Sequence, residues 1–261
     1  MKLLQALRID MKRAFFSPLF FLVILLIVAL NYLSVSGEMP LSQGNVLYFF
    51  QLIFGGPFSI VMLFIGTLPY GTSFCVDWKN QFIRPNLIRT TLSTYAWSKV
   101  FTVALSAITA VIISNLLTAF LFSLHMPMVF WFYAEYGYEL YIQAVIGQLI
   151  DIHPMLYLTV RIVIYALHCG FWAVFALLVS TYSTNAFVTY ASPVLAYYLV
   201  VNLSAVVGVP YYLRFNAVAS GYVEMGGIFA SIAYSVLFFA VPTALLGWLT
   251  TRNIKRRVEN G

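Results

Sequence analysis

Three histidines, two cysteines and eight carboxylates are the side chains this sequence offers for acid–base, nucleophilic or metal chemistry. His125, His153 and His168 follow no ligand spacing such as H-E-x-x-H. Only His168 falls deep in an apolar run, where a histidine hydrogen-bonded between helices is the ordinary reading. No Gly is followed by Lys, which excludes a phosphate-binding P-loop and an ATPase site by that route. A membrane protease or transferase needs paired carboxylates, or a carboxylate with a histidine, at membrane depth. No Asp or Glu lies in the interior of an apolar run, which also counts against a proton-coupled carrier. Cys75 and Cys169 sit in or at the edge of such runs and read as small hydrophobes, not as a disulfide. The expectation is a protein that is not an enzyme and itself binds neither metal nor cofactor.

The apolar runs do contain uncharged polar groups. Asn31, Gln51, Asn115 and Asn202 map to one half of their helices, with Arg161 close to the same boundary. Unpartnered amides and charges are costly in lipid, so these residues face protein or water. Two readings stay open: a polar substrate path on the exit side, or interhelical hydrogen bonds that hold a bundle together. Thr102, Ser106, Ala110, Ser114 and Thr118 form a small-residue stripe at every fourth position, which lets another helix approach closely.

The elements that must position these groups follow from composition. The chain is 62% hydrophobic and 8% charged, where a soluble domain carries about 25% charged residues, so lipid is the solvent. Apolar runs of about 20 residues match roughly 30 Å of hydrocarbon. The fold class expected is an all-α membrane protein with six transmembrane helices at 18–35, 48–76, 95–124, 155–181, 186–207 and 228–250. Pro57 and Pro69, with Gly55, Gly56, Gly66 and Gly71, mark the second span as the one to bend. Residues 1–17 fit a basic interfacial helix with Leu3, Leu4, Leu7, Met11, Ala14 and Phe15 on one face, interrupted by Ile9 and Asp10. The rest is a polar segment at 77–94, an outer loop at 125–154 rich in aromatics, an outer segment at 208–227 and a basic tail at 251–261.

Charge sets the orientation. Twelve Lys and Arg against three acidic residues fall on the side of the N-terminus, and two against five on the other. By the positive-inside rule both termini are cytoplasmic, in a bacterial inner membrane that the chain crosses several times. The formal charge of +6 therefore serves topology and not nucleic acid.

Three features carry a resemblance. One is the opening Leu7-Arg8-Ile9-Asp10-Met11-Lys12-Arg13-Ala14-Phe15-Phe16-Ser17-Pro18. Another is the segment from Asp77 ending in Tyr95-Ala96-Trp97-Ser98-Lys99. The third is the six-span layout with a short outer segment between spans five and six. Over nearly its full length the chain resembles the type-2 permease family of ATP-binding-cassette exporters. Asp77 stands where members often have Glu, and the Gly-Thr pair that follows in them is missing. The resemblance implies a coupling segment with Asp77, Trp78, Lys79, Arg84 and Arg89 that docks on a separate ATPase subunit. That subunit binds ATP and Mg. It also implies a second permease copy or related permease, and a re-entrant outer gate with Pro210, Tyr211, Tyr212 and Arg214. The implied function is export of an amphipathic or hydrophobic peptide, drug or lipid by alternating access. A secondary carrier, or a non-transport immunity or scaffold protein, is the alternative.

Overall fold

Ser17 is extended, its hydroxyl accepts from the Phe20 amide at 3.1 Å, and Pro18 occupies the first helical turn. Both are helix-starting signals, so the chain stops one helix and begins another at this point. A computed structural model describes residues 3–37, 45–83, 85, 88, 90–129, 145–221 and 223–260; among them the regular elements are helices, with no strand. α1 (Leu3–Phe15) and α2 (Pro18–Val35) flank the Ser17 cap.

Asn45 caps α3 (Val46–Gly55) by accepting from the Tyr48 amide at 2.8 Å. Where one long span is expected at 48–76, the helix breaks after Gly55 and resumes as α4 (Phe58–Thr67), bent by 77°. Pro57 has no amide hydrogen to continue the ladder. Gly56 closes the last turn of α3 with a 2.7 Å bond to the Leu52 carbonyl, and a Cβ at Gly56 would stand 2.5 Å from that oxygen. A side chain there would push the break apart. The chain then runs through a turn into α5 (Ser73–Lys79).

Thr91 caps α6 (Leu92–Ser123), and His153 caps α8 (Pro154–Ser180) through Nδ1, which accepts from the Met155 amide at 3.2 Å. Between them lies the short α7 (Leu149–Ile152). Asn185 caps α9 (Ala186–Val206); α10 (Phe215–Ala219) and α11 (Ile228–Asn260) follow. The tail expected at 251–261 is therefore helical to Asn260. Among the described residues, five helices are long and apolar enough to cross a membrane, and α3 with α4 makes a sixth span if the bent pair is counted as one.

α8 is the central post. It is buried over most of its length and packs on α6, α11, α9 and α4, while α9 and α11 fully bury few of their residues. The stripe Thr102, Ser106, Ala110, Ser114 and Thr118 is buried within the chain. Its close-packing logic also operates at Gly170 of α8, where a Cβ would lie 2.7 Å from Ile108 Cγ1 of α6.

α1 packs on α6, but not with the face its leucines suggest. The residues it buries are Ala6, Asp10 and Ala14, one turn apart, while Leu3 and Leu4 are exposed. Leu7, Met11 and Phe15 are half-buried. The helix is rolled because the Asp10 carboxylate has partners inside the bundle, and an ion that finds them is pulled in.

Candidate functional site

Two polar assemblies occupy opposite halves of the bundle. At the basic end, the Lys99 ammonium on α6 lies 3.1 Å from Asp10 Oδ1 of α1 and 2.9 Å from Asp77 Oδ2 of α5. Its third N–H donates to the Tyr70 hydroxyl at 2.9 Å, so the donor capacity of the ammonium is used. Asp10 also accepts from Tyr70 at 2.8 Å and from the Ser98 hydroxyl at 2.6 Å; Asp77 accepts from the Tyr95 hydroxyl at 2.8 Å. Lys99 is 1% exposed, so its charge is stable there only because it is fully bonded. Two carboxylates against one ammonium leave the cluster formally anionic, and three hydroxyl donors spread the excess.

The basic C-terminal half-turns of α11 come to the same end. Arg257 donates to the Ser180 carbonyl at 3.4 Å and to the Thr181 carbonyl, and its guanidinium lies 4.6 Å from the Trp78 ring centroid. Residues near both termini thus meet the 70–78 stretch. Of the residues implied in coupling, Asp77 is buried in the cluster, Trp78 is half-buried under Arg257 and Lys79 is exposed. Arg84 and Arg89 lie outside the described residues, as do Trp131, Tyr133, Tyr136, Tyr138 and Tyr141 of the outer loop.

In the other half, the residues proposed for a polar path do not form one lining. Asn31 Nδ2 donates to Asn115 Oδ1 at 3.2 Å and to the Thr118 hydroxyl at 2.9 Å, and all three are fully buried between α2 and α6. They bond helix to helix. Gln51 is half-buried on α3. Asn202 borders a cavity of about 530 Å³ lined by the α3–α4 break, Tyr165 and His168 of α8, Tyr197 and Asn202 of α9, and Asn216 at the start of α10.

From the 208–227 stretch, Tyr211, Asn216, Ala217, Ala219 and Ser220 line that cavity. After Gly208, at φ 72°, come a single 3-10 turn (Tyr211–Leu213) and α10, which packs on α8, α9 and α11. Phe215 drives inward, its ring 5.2 Å from Phe171 and 5.9 Å from Trp172. Pro210, Tyr211 and Tyr212 stay exposed, and Arg214 is half-buried, its Nε donating to the Val209 carbonyl at 2.8 Å. Arg161, 5% exposed, donates to the Tyr157 hydroxyl at 2.8 Å near the start of α8.

His168 does not bond between helices as its sequence context suggests. Its Nε2 accepts from Trp172 Nε1 at 2.8 Å, one turn on in the same helix. The i, i+4 spacing is the signal that would have found it. Tyr70 carries no sequence signal, while Tyr95, Ser98 and Lys99 stand in the segment that carries the resemblance; Asp10, an acid breaking an apolar face, is the sign in the sequence that a buried ionic partner exists. Among the described residues no group of His, Cys, Asp and Glu could hold a metal ion.

Helix length, apolar character and element order together define an all-helical, multi-pass membrane protein. Compared with protein-family models, with curated proteins and with solved structures, the chain matches none.

Proposed function

We propose that the chain is the membrane-spanning permease of an ATP-binding-cassette exporter in a bacterial inner membrane. It carries no ATPase site and works with a separate ATPase subunit and a second permease. The cargo class is amphipathic or hydrophobic: a peptide, drug or lipid. The observation that carries this reading is the Lys99 cluster, which ties α1, α5 and α6 into one block at the basic end. An engine outside the membrane can drive alternating access only through an element stiff enough to transmit its motion. A buried ion cluster that joins the N-terminal helix to the flank of the 77–94 segment meets that requirement. The basic end is assigned to the cytoplasm by its Lys and Arg excess.

The test is purification from the native host, followed by reconstitution. A P-loop ATPase should co-purify with the chain, and ATP should drive efflux from proteoliposomes. Efflux that survives ATP depletion but stops when ion gradients collapse would make the chain a secondary carrier. Reversing Arg84 and Arg89 to Glu should lower substrate-stimulated hydrolysis; unchanged stimulation would remove the docking segment from the scheme.

A further inference from the structure

The ion cluster is complete at its lysine and open at one of its acids. Every N–H of the Lys99 ammonium is used, and Asp77 Oδ2 accepts from both Lys99 and Tyr95. Asp77 Oδ1 takes no hydrogen bond among the described residues, yet it is not one of the unpaired atoms shut off from solvent. The Asp77 side chain keeps 7% of its surface and lines a groove of about 350 Å³ at the basic end. Two carboxylates against one ammonium leave one negative charge unbalanced. An excess charge held inside a membrane protein is costly, so a cation at Oδ1 is favoured.

The same groove carries a charge of the other sign. Arg13, near the end of α1, lines it, is exposed and has no ion pair among the described residues. The groove therefore offers an acceptor to a cation that can donate and a guanidinium to an anion. Its position sets the kind of molecule. Ser17 and Leu19 bring the start of α2 to its wall, and Tyr190 brings the start of α9. At those helix ends Phe16, Phe21 and Phe187 are 79%, 55% and 77% exposed. Exposed apolar side chains at the ends of membrane spans are covered by lipid, so the groove lies at headgroup depth with acyl chains beside it. A molecule with both charges and an apolar tail suits it better than the lysine of a soluble partner.

We infer that the groove of Asp77 and Arg13 binds the headgroup of a phospholipid with a primary ammonium, a phosphatidylethanolamine, in the leaflet at the basic end. The ammonium donates to Asp77 Oδ1 and the phosphate pairs with Arg13. A trimethylammonium has no N–H to donate, so a phosphatidylcholine of equal charge loses the bond to Asp77. The groove shares no lining residue with the 530 Å³ cavity. Binding is measured on the chain alone, so the outcome is independent of the ATPase.

The test places the purified chain in phosphatidylglycerol nanodiscs with a photoreactive phosphatidylethanolamine, and labelled peptides are identified by mass spectrometry. Labelling should saturate and fall on 13–19, 68–82 or 187–190. Unlabelled phosphatidylethanolamine should compete about tenfold better than phosphatidylcholine with the same acyl chains, the worth of one charge-assisted hydrogen bond. Asp77→Asn, which puts an amide N–H where the free oxygen stood, should erase that preference. Arg13→Ala, at an exposed position, should weaken labelling and keep the preference. Equal competition by the two lipids in the wild type overturns the site and needs no variant to fold. Labelling that never saturates, or that spreads over the exposed faces of α9 and α11, overturns it too. So does free phosphoethanolamine that competes as well as the lipid, because the ligand is then soluble.

Discussion

Lys99 and Asp10 stand 89 residues apart in the chain and 3.1 Å apart in the bundle. Removing the cation leaves two carboxylates buried against each other. Lys99→Met should therefore destabilise the protein by about 3–5 kcal/mol, the usual cost of breaking a buried pair from one side. Adding Asp10→Asn and Asp77→Asn should restore a large part of the loss. Thermal unfolding of the purified variants in one detergent reads both effects, and a triple variant no more stable than Lys99→Met would contradict the pairing.

Asp77→Asn is milder, because the amide oxygen still accepts from Tyr95 while the ionic tie to Lys99 is lost. On the exporter reading, the variant should bind its ATPase and hydrolyse ATP, but move several-fold less substrate per ATP. Measuring efflux and hydrolysis on the same proteoliposomes gives that ratio; an unchanged ratio would show that the tie plays no part in transmission.

The amide pair between α2 and α6 separates packing from transport. Asn31→Leu removes the donor to Asn115 and Thr118 and should cost about 1 kcal/mol, since hydrogen bonds between membrane helices average about 0.6 and reach about 1.7 kcal/mol. Transport by the folded variant should stay near wild type, because Asn31 does not border the cavity. A well-folded Asn31→Leu protein with no transport would return Asn31 to the path.

Gly170 sets the distance between α6 and α8. Gly170→Val drives a side chain into Ile108, whose Cγ1 and Cδ1 lie 2.7 and 2.9 Å from the added Cβ. Overpacking of this kind costs about 1–3 kcal/mol. Combining it with Ile108→Ala should recover stability in a melting experiment, and failure to recover would place the strain in the backbone.

The parts of the structure legible from the sequence are those decided by neighbours in the chain. Ser17-Pro18 starts α2 at Pro18, and Gly55-Gly56-Pro57 announces a break within one turn. The size of the bend was beyond reach, because packing of α4 on α2, α8 and α9 decides where its axis goes. The ion cluster was hidden for a different reason. Asp10, Tyr70, Asp77 and Lys99 become neighbours only through the topology, and a single sequence contains no record of which acid meets which base. His168 shows the intermediate case: its partner Trp172 is four residues away, yet the open wall beside it is made by α9 and α10, far along the chain.

The length of α11 has a mechanical meaning. Its 33 residues span about 50 Å at 1.5 Å each, against about 30 Å of hydrocarbon. The ten residues after Thr250 continue the rod for about 15 Å beyond its apolar stretch and carry Arg252, Lys255, Arg256 and Arg257. Arg257 is fastened to the carbonyls that end α8. A body that meets the protein at that end encounters a strut braced against the central post, so a sideways push on the rod is a push on α8.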